Sequence, residues 1–213
     1  GIATLTNLTS LWLGQNRISE LKNLSTLTNL RTLSIQANRL TSLSGIETLP
    51  QLTELYVSDN KIPSLAPLAQ NTQLEILDFQ SNPISSLEGL ENLAKLENVW
   101  ASNCQVADFR EIERALRDKE SLEEVYFEGN PVQKREPVLY RNKLRLALPQ
   151  VAKIDACELY LVSLPISRCC LANYYFLQQR TSKSPEKAEL EDMQFQSSMG
   201  NDKQDTRHQQ IRG

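Results

Sequence analysis

Glycine fills only seven of the 213 positions and histidine only one. Neither G-x-x-x-x-G-K-[ST] nor G-x-G-x-x-G occurs, so no loop of this chain is built to cradle phosphates. The lone His208 sits in a polar C-terminal stretch, where it cannot form a Ser–His or Cys–His pair anchored in a fold. The four cysteines, Cys104, Cys157, Cys169 and Cys170, lack zinc spacing and give no disulfide framework, which makes a reducing compartment the default. No apolar run approaches 18 residues, excluding a transmembrane helix. Basic charge is also lacking: 23 Lys and Arg against 26 Asp and Glu leave a net charge of −3, the wrong balance for a nucleic-acid binder. These absences point away from catalysis, metal, cofactor, nucleic acid and membrane. The chain opens with Gly1 rather than Met and shows no secretory leader, so any targeting signal upstream lies out of sight.

What the sequence does have is a period. Leu8, Leu30, Leu52, Leu74 and Leu96 fall 22 residues apart, and Leu122 opens a sixth row after a four-residue insertion. Further columns follow in register: Leu11, Leu33, Leu55, Leu77, Val99 and Val125; then Leu13, Ile35, Val57, Phe79, Ala101 and Phe127; then Asn16, Asn38, Asn60, Asn82, Cys104 and Asn130. The pattern L-x-x-L-x-L-x-x-N/C-x-L defines a leucine-rich repeat. Its L-x-L core reads as a short strand with alternate side chains inward, and successive coils stack such strands into a parallel sheet. The Asn slot is expected at a buried turn, where an amide can serve backbone groups that would otherwise be unsatisfied.

The second half of each row spaces apolar residues by three, as in Ile84, Leu87, Leu90 and Leu93, which suits 3₁₀ turns on the convex side. The longer fifth row predicts a true helix there, capped by Asp108 and packed through Phe109, Ile112 and Leu116. The fold class is therefore α/β: a leucine-rich-repeat solenoid with a parallel β-sheet on the concave face, 3₁₀ or short helices on the convex face, and a C-terminal cap. Residues 1–130 read as repeats starting part-way through a row, so that an earlier coil is expected to be missing. Residues 131–156 read as the cap, with a helix over 137–148 packing through Val138, Leu144 and Leu148, before Val151 and Ile154 return to the core. Residues 157–213 lose the register and read as an irregular, largely disordered tail. That tail has seven charges of each sign, so the acidic excess belongs to the repeats.

Between the two inward residues of each strand, Trp12, Ser34, Tyr56, Asp78, Trp100 and Tyr126 should face out of the concave sheet. Four of these six are aromatic in a chain that is 6% aromatic, and both tryptophans are among them. Such rings either pack on one another as a solvated ladder or supply the hot spots of a protein interface. The flanking column, Ser10, Thr32, Glu54, Ile76, Asn98 and Glu124, together with Asp59 and Glu128, reads as an acidic rim that would steer a basic partner. Scattered carboxylates are also usual on any surface, but the central Asp78 is the stronger candidate.

The 22-residue rows, Asn98-Val99-Trp100, the stretch from Leu122 to Lys134 containing Tyr126-Phe-Glu-Gly-Asn130-Pro131, and then Tyr140-Arg141, Leu146-Ala-Leu-Pro149 and Ile154-Asp155-Ala156 resemble the leucine-rich-repeat regulatory subunit 7 family of type 1 protein phosphatase. The resemblance spans residues 1 to about 156. It implies a nuclear and cytoplasmic, non-catalytic subunit, monomeric before complex formation, that holds the phosphatase catalytic subunit on its concave face and controls its activity, maturation or localisation, contributing to mitosis. It also implies binding roles for Trp12, Asp78, Trp100 and Tyr126, whereas Asn98 stands where the family pattern leads one to expect an acidic residue. With the residue-level reading, the expected partner-binding set is Trp12, Tyr56, Asp78, Trp100, Tyr126, Glu54 and Glu124. The family ends within a few residues of Ala156, so an altered reading frame or retained intron would account for the tail. Two other classes carry similar rows: the spliceosomal snRNP A-prime scaffold, which holds an RNA-binding protein and has fewer repeats, and secreted bacterial adhesins, which need a signal peptide.

Overall fold

The periodic leucines build one continuous stack in the computed structural model, which describes residues 2–155 and the strand at 157–158. The strands are β1 (Ser10–Trp12), β2 (Thr32–Ser34), β3 (Glu54–Tyr56), β4 (Ile76–Asp78), β5 (Asn98–Trp100), β6 (Glu124–Tyr126), β7 (Lys153–Ile154) and β8 (Cys157–Glu158). They lie in sequence order in a single sheet, parallel from β1 to β7, with β8 antiparallel on β7. The register follows the repeat: Leu11 faces Leu33, Leu33 faces Leu55, Leu55 faces Leu77, Leu77 faces Val99 and Val99 faces Val125. Except for β8, the tail proposed for 157–213 lies outside the described residues.

A 22-residue coil must reverse direction after each strand, yet this chain is poor in glycine. The reversal uses Gln15, Ala37, Asp59, Ser81 and Asn103, all with positive φ between 52° and 58°. A left-handed conformation disfavours a residue with a Cβ. The strain is offset between coils, because each of these N–H groups donates to the next coil, as from Ala37 to the Ser58 carbonyl at 2.9 Å and from Asp59 to the Gln80 carbonyl at 2.9 Å. Glycine is needed elsewhere, on the convex side. Gly89 has φ +104°, and a Cβ there would stand 2.4 Å from the Leu65 carbonyl oxygen.

The asparagine column works as its chemistry predicts. Asn60 donates from Nδ2 to the Ile35 carbonyl of the preceding coil at 2.9 Å, while its Oδ1 accepts from Leu40 N–H at 2.9 Å. Asn38, Asn82 and Asn130 repeat the arrangement. Cys104 donates only its weaker S–H to the Phe79 carbonyl at 3.4 Å, and burial pushes its thiol up to about 11.

On the convex side, short 3₁₀ segments at Ile46–Thr48 and Ala66–Gln70 give way in the fifth coil to α1 (Phe109–Leu116). Asp108 caps it by accepting from Arg110 N–H at 2.9 Å, and Ile112 and Leu116 are buried. The cap contains α2 (Pro131–Arg135) and α3 (Tyr140–Ala147). Here the expectation needs correcting. The residues from Pro137 to Leu139 form a turn, and Val138 is 84% exposed. Tyr140 fills the core instead, with Leu144, Leu148, Val151 and Ile154. Pro137 presets φ for the turn that precedes α3, and Tyr140 combines a large apolar ring with a hydroxyl that Asp155 satisfies at 3.2 Å.

Candidate functional site: an aromatic concave face

The strand residues that face away from the leucine core form the concave surface. Parallel strands lie about 4.8 Å apart, so residues on alternate strands are separated by roughly twice that. The ring centroids are nevertheless 6.4 Å apart for Trp12 and Tyr56, which span β2, and 6.2 Å for Tyr56 and Trp100, which span β4. Trp100 and Tyr126, on neighbouring strands, are 6.1 Å apart. The rings therefore lean toward one another over the smaller residues between them. This explains the burial of Ser34 and Asp78, at 2% and 3% exposure. The face is one continuous aromatic strip, with Trp12 68% exposed and Tyr56, Trp100 and Tyr126 half-buried.

Asp78 departs from the expected exposed carboxylate. Its oxygens are engaged within the sheet, accepting from Gln36 Nε2 at 2.9 Å, Gln80 N–H at 3.1 Å and Gln80 Nε2 at 3.2 Å. It sits below the contact of Tyr56 with Trp100 rather than beside the rings. It acts on the Tyr56 hydroxyl through its charge, with no hydrogen bond to either ring. Nearby, the Trp100 indole N–H and the Ser102 hydroxyl are buried without a partner among the described residues. A buried unpaired donor is costly to leave so.

The acidic rim is uneven. Glu124 is paired with Lys153 at 3.0 Å, and Lys153 Nζ lies 5.7 Å from the centre of the Tyr126 ring. Glu54 has no cation within salt-bridge distance among the described residues; its Oε2 accepts from the Thr32 and Tyr56 hydroxyls, each at 3.3 Å. Burial raises the Tyr56 hydroxyl pKa, and the charges of Glu54 and Asp78 raise it further. Asp59 is exposed, whereas burial and the neighbouring Asp155 push the Glu128 carboxyl up. The sequence signalled each side chain but could not signal Gln36, Gln80 or Lys153 as their partners. Gln36 and Gln80 do share a column of the repeat, but a column does not say which side chain reaches across to another.

Among the described residues, no group of His, Cys, Asp and Glu is placed to hold a metal, and no helix is long and apolar enough to cross a membrane. The stack, the asparagine ladder and the aromatic concave sheet together define a leucine-rich-repeat solenoid, and the family model for leucine-rich repeats matches residues 6–48, 28–70 and 50–92. Within that class, the chain is 56% identical over 55 residues to the protein phosphatase 1 regulatory subunit SDS22 of Schizosaccharomyces pombe, a stretch that makes up 26% of this chain and 17% of that protein. Two solved structures share the fold. An internalin (inlF) from Listeria monocytogenes is 25% identical with a TM-score of 0.60, matching 72% of this chain and 42% of its own. A leucine-rich-repeat protein of Leptospira interrogans is 31% identical with a TM-score of 0.62, matching 72% and 38%. The chain thus spans less than half the length of each of these relatives.

Proposed function

We propose that this chain is a non-catalytic regulatory subunit that binds the catalytic subunit of type 1 serine/threonine protein phosphatase on its concave face, in the nucleus and cytoplasm, and controls that enzyme's activity, maturation or localisation. The observation that carries the reading is the continuous aromatic strip from Trp12 to Tyr126 on a rigid sheet. Rings held in place lose little entropy on burial, which is why tyrosine and tryptophan dominate interface hot spots. Similarity to SDS22 over 55 residues supports the phosphatase among possible partners. The bacterial structures support the stack, but at 25% and 31% identity they are more distant in sequence than the 56% stretch.

The binding residues in this reading are Trp12, Tyr56, Trp100, Tyr126 and Glu54, with Asp78 and Glu124 acting through the groups they hold. Calorimetric titration of the full chain against the purified catalytic subunit tests it, alongside Trp100→Ala and Tyr126→Ala variants verified as folded by circular dichroism. Each truncation should weaken binding by about 2 kcal/mol. Absence of binding by the folded wild-type chain contradicts the proposal, and capture of an isolated RNA-recognition domain instead would favour the spliceosomal class of scaffold.

A further inference from the structure

The concave sheet contains the same side-chain pair twice. Glu54 and Tyr56 on β3 occupy the register positions that Glu124 and Tyr126 occupy on β6. In the second copy the following strand brings a cation: Lys153 stands opposite Glu124 in the register, bonds its carboxylate at 3.0 Å and lies near the Tyr126 ring. In the first copy the residue opposite Glu54 is Ile76. Glu54 consequently keeps Oε1 without a hydrogen bond among the described residues, while Oε2 is held by the two hydroxyls.

The chain itself thus displays what a Glu-x-Tyr rung takes: a primary ammonium on the carboxylate, beside the aromatic ring. We propose that the Glu54–Tyr56 rung is a docking position for one lysine or arginine side chain of the bound protein, with its charged end on Glu54 Oε1 and its methylene stem against the exposed Trp12 ring and the open side of the half-buried Tyr56 ring. The inference rests on the concave face being the phosphatase-binding face, and it adds the chemistry of one contact. The hydroxyls of Thr32 and Tyr56 fix the carboxylate before the partner arrives, so little side-chain entropy is lost on contact. The field of Asp78 adds to the attraction, since this carboxylate is hydrogen-bonded by uncharged groups of Gln36 and Gln80 and has no cation within salt-bridge distance among the described residues. At the second copy Lys153 offsets the charge of Glu124: burial first, and then Glu124, raise the Tyr126 hydroxyl pKa, but Lys153 pulls it down, a contribution that Tyr56 lacks.

The internal lysine suggests the decisive variant. Ile76→Lys places an amine where Lys153 stands in the other copy, and it should fill the rung from within. Binding of the phosphatase catalytic subunit to the full chain would be measured for the wild type, Glu54→Gln, Ile76→Lys and Glu120→Gln, each checked for an unchanged melting profile. Glu120 is exposed and outside the concave strands, so its variant controls for the loss of one charge. The expected result is a weakening of about tenfold for Glu54→Gln and for Ile76→Lys, with Glu120→Gln within twofold. If the wild type binds and Glu54→Gln binds equally well, or if Glu120→Gln weakens binding as much, the docking position is refuted while the concave-face reading stands. If the wild type does not bind, the underlying reading is what has failed.

Discussion

The two ends of the stack obey the same repeat and yet are packed differently. In the first coil Leu8, Leu11, Leu13, Ile18 and Leu21 are only partly buried, and Asn16 is exposed. From β3 onward the equivalent leucines are fully buried, and at the far end Val125, Phe127 and Ile154 are as well. A coil in a solenoid buries its apolar side chains only by contact with a coil on each side. The first coil has one such neighbour in this chain. The last has the cap, where Asp155 accepts from the N–H groups of Phe127 and Glu128 at 3.1 Å and from the Tyr140 hydroxyl at 3.2 Å, with Arg141 at 3.5 Å. One buried carboxylate does there what the next coil does elsewhere.

Breaking the cap should have the largest effect. Asp155→Ala leaves two backbone N–H groups, a hydroxyl and a guanidinium short of their acceptor, and should lower stability by about 3 kcal/mol or more. Denaturant melts measure this, and a loss under about 1 kcal/mol would show that the cap is held by apolar packing alone. Second in size is the contrast between coils. Leu77→Ala should cost about 3 kcal/mol, and Leu11→Ala about half that, because the partly exposed site loses less buried area and leaves a smaller cavity. Equal losses would mean that the first coil is covered in solution.

Most of the architecture was legible because a 22-residue period fixes which residues are stacked, and stacking fixes the sheet register. Each of the six strands before the cap fell where the L-x-L pattern placed it. The start of α3 was less legible, since Val138 and Tyr140 are both apolar enough for the core and only the turn at Pro137 decides between them. The aromatic column was also readable. Its lean was not, because periodicity reports which face a side chain leaves from and says nothing about its tilt across neighbouring strands. Hence Asp78, read as exposed, is covered, and Glu124, read as open to a partner, already holds Lys153. The pairs Gln36–Asp78 and Lys153–Glu124 join residues 42 and 29 positions apart, and the repeat does not announce which side chains meet across coils.

A smaller effect sharpens the comparison inside the ladder. Cys104→Asn restores the amide that serves the other interior rungs and should raise stability by up to about 1 kcal/mol. No gain would mean that the site has adapted around the sulfur. The smallest predicted effect is on the pH dependence at the capped end. The folded pKa values of Glu128 and Asp155 both lie above their ordinary values, through burial first, although Arg141 lowers each. Such groups hold their protons more tightly when folded. They favour the fold below the ordinary carboxylate range, and that contribution is lost as pH rises through the raised values. Glu128→Gln should therefore raise the melting temperature slightly at neutral pH and leave it unchanged in strong acid. An equal rise at both pH values would rule out titration as the cause.

Both tryptophans of the chain, Trp12 and Trp100, lie on the concave face, so a fluorinated tryptophan label reports on that face and nowhere else. The most direct measurement is the fluorine NMR spectrum of the 5-fluorotryptophan-labelled full chain as unlabelled phosphatase catalytic subunit is added, with Trp12→Phe assigning the two resonances. The Trp100 resonance should shift or broaden in proportion to the complex formed. A complex detected by calorimetry while both resonances remain in place would contradict concave-face binding.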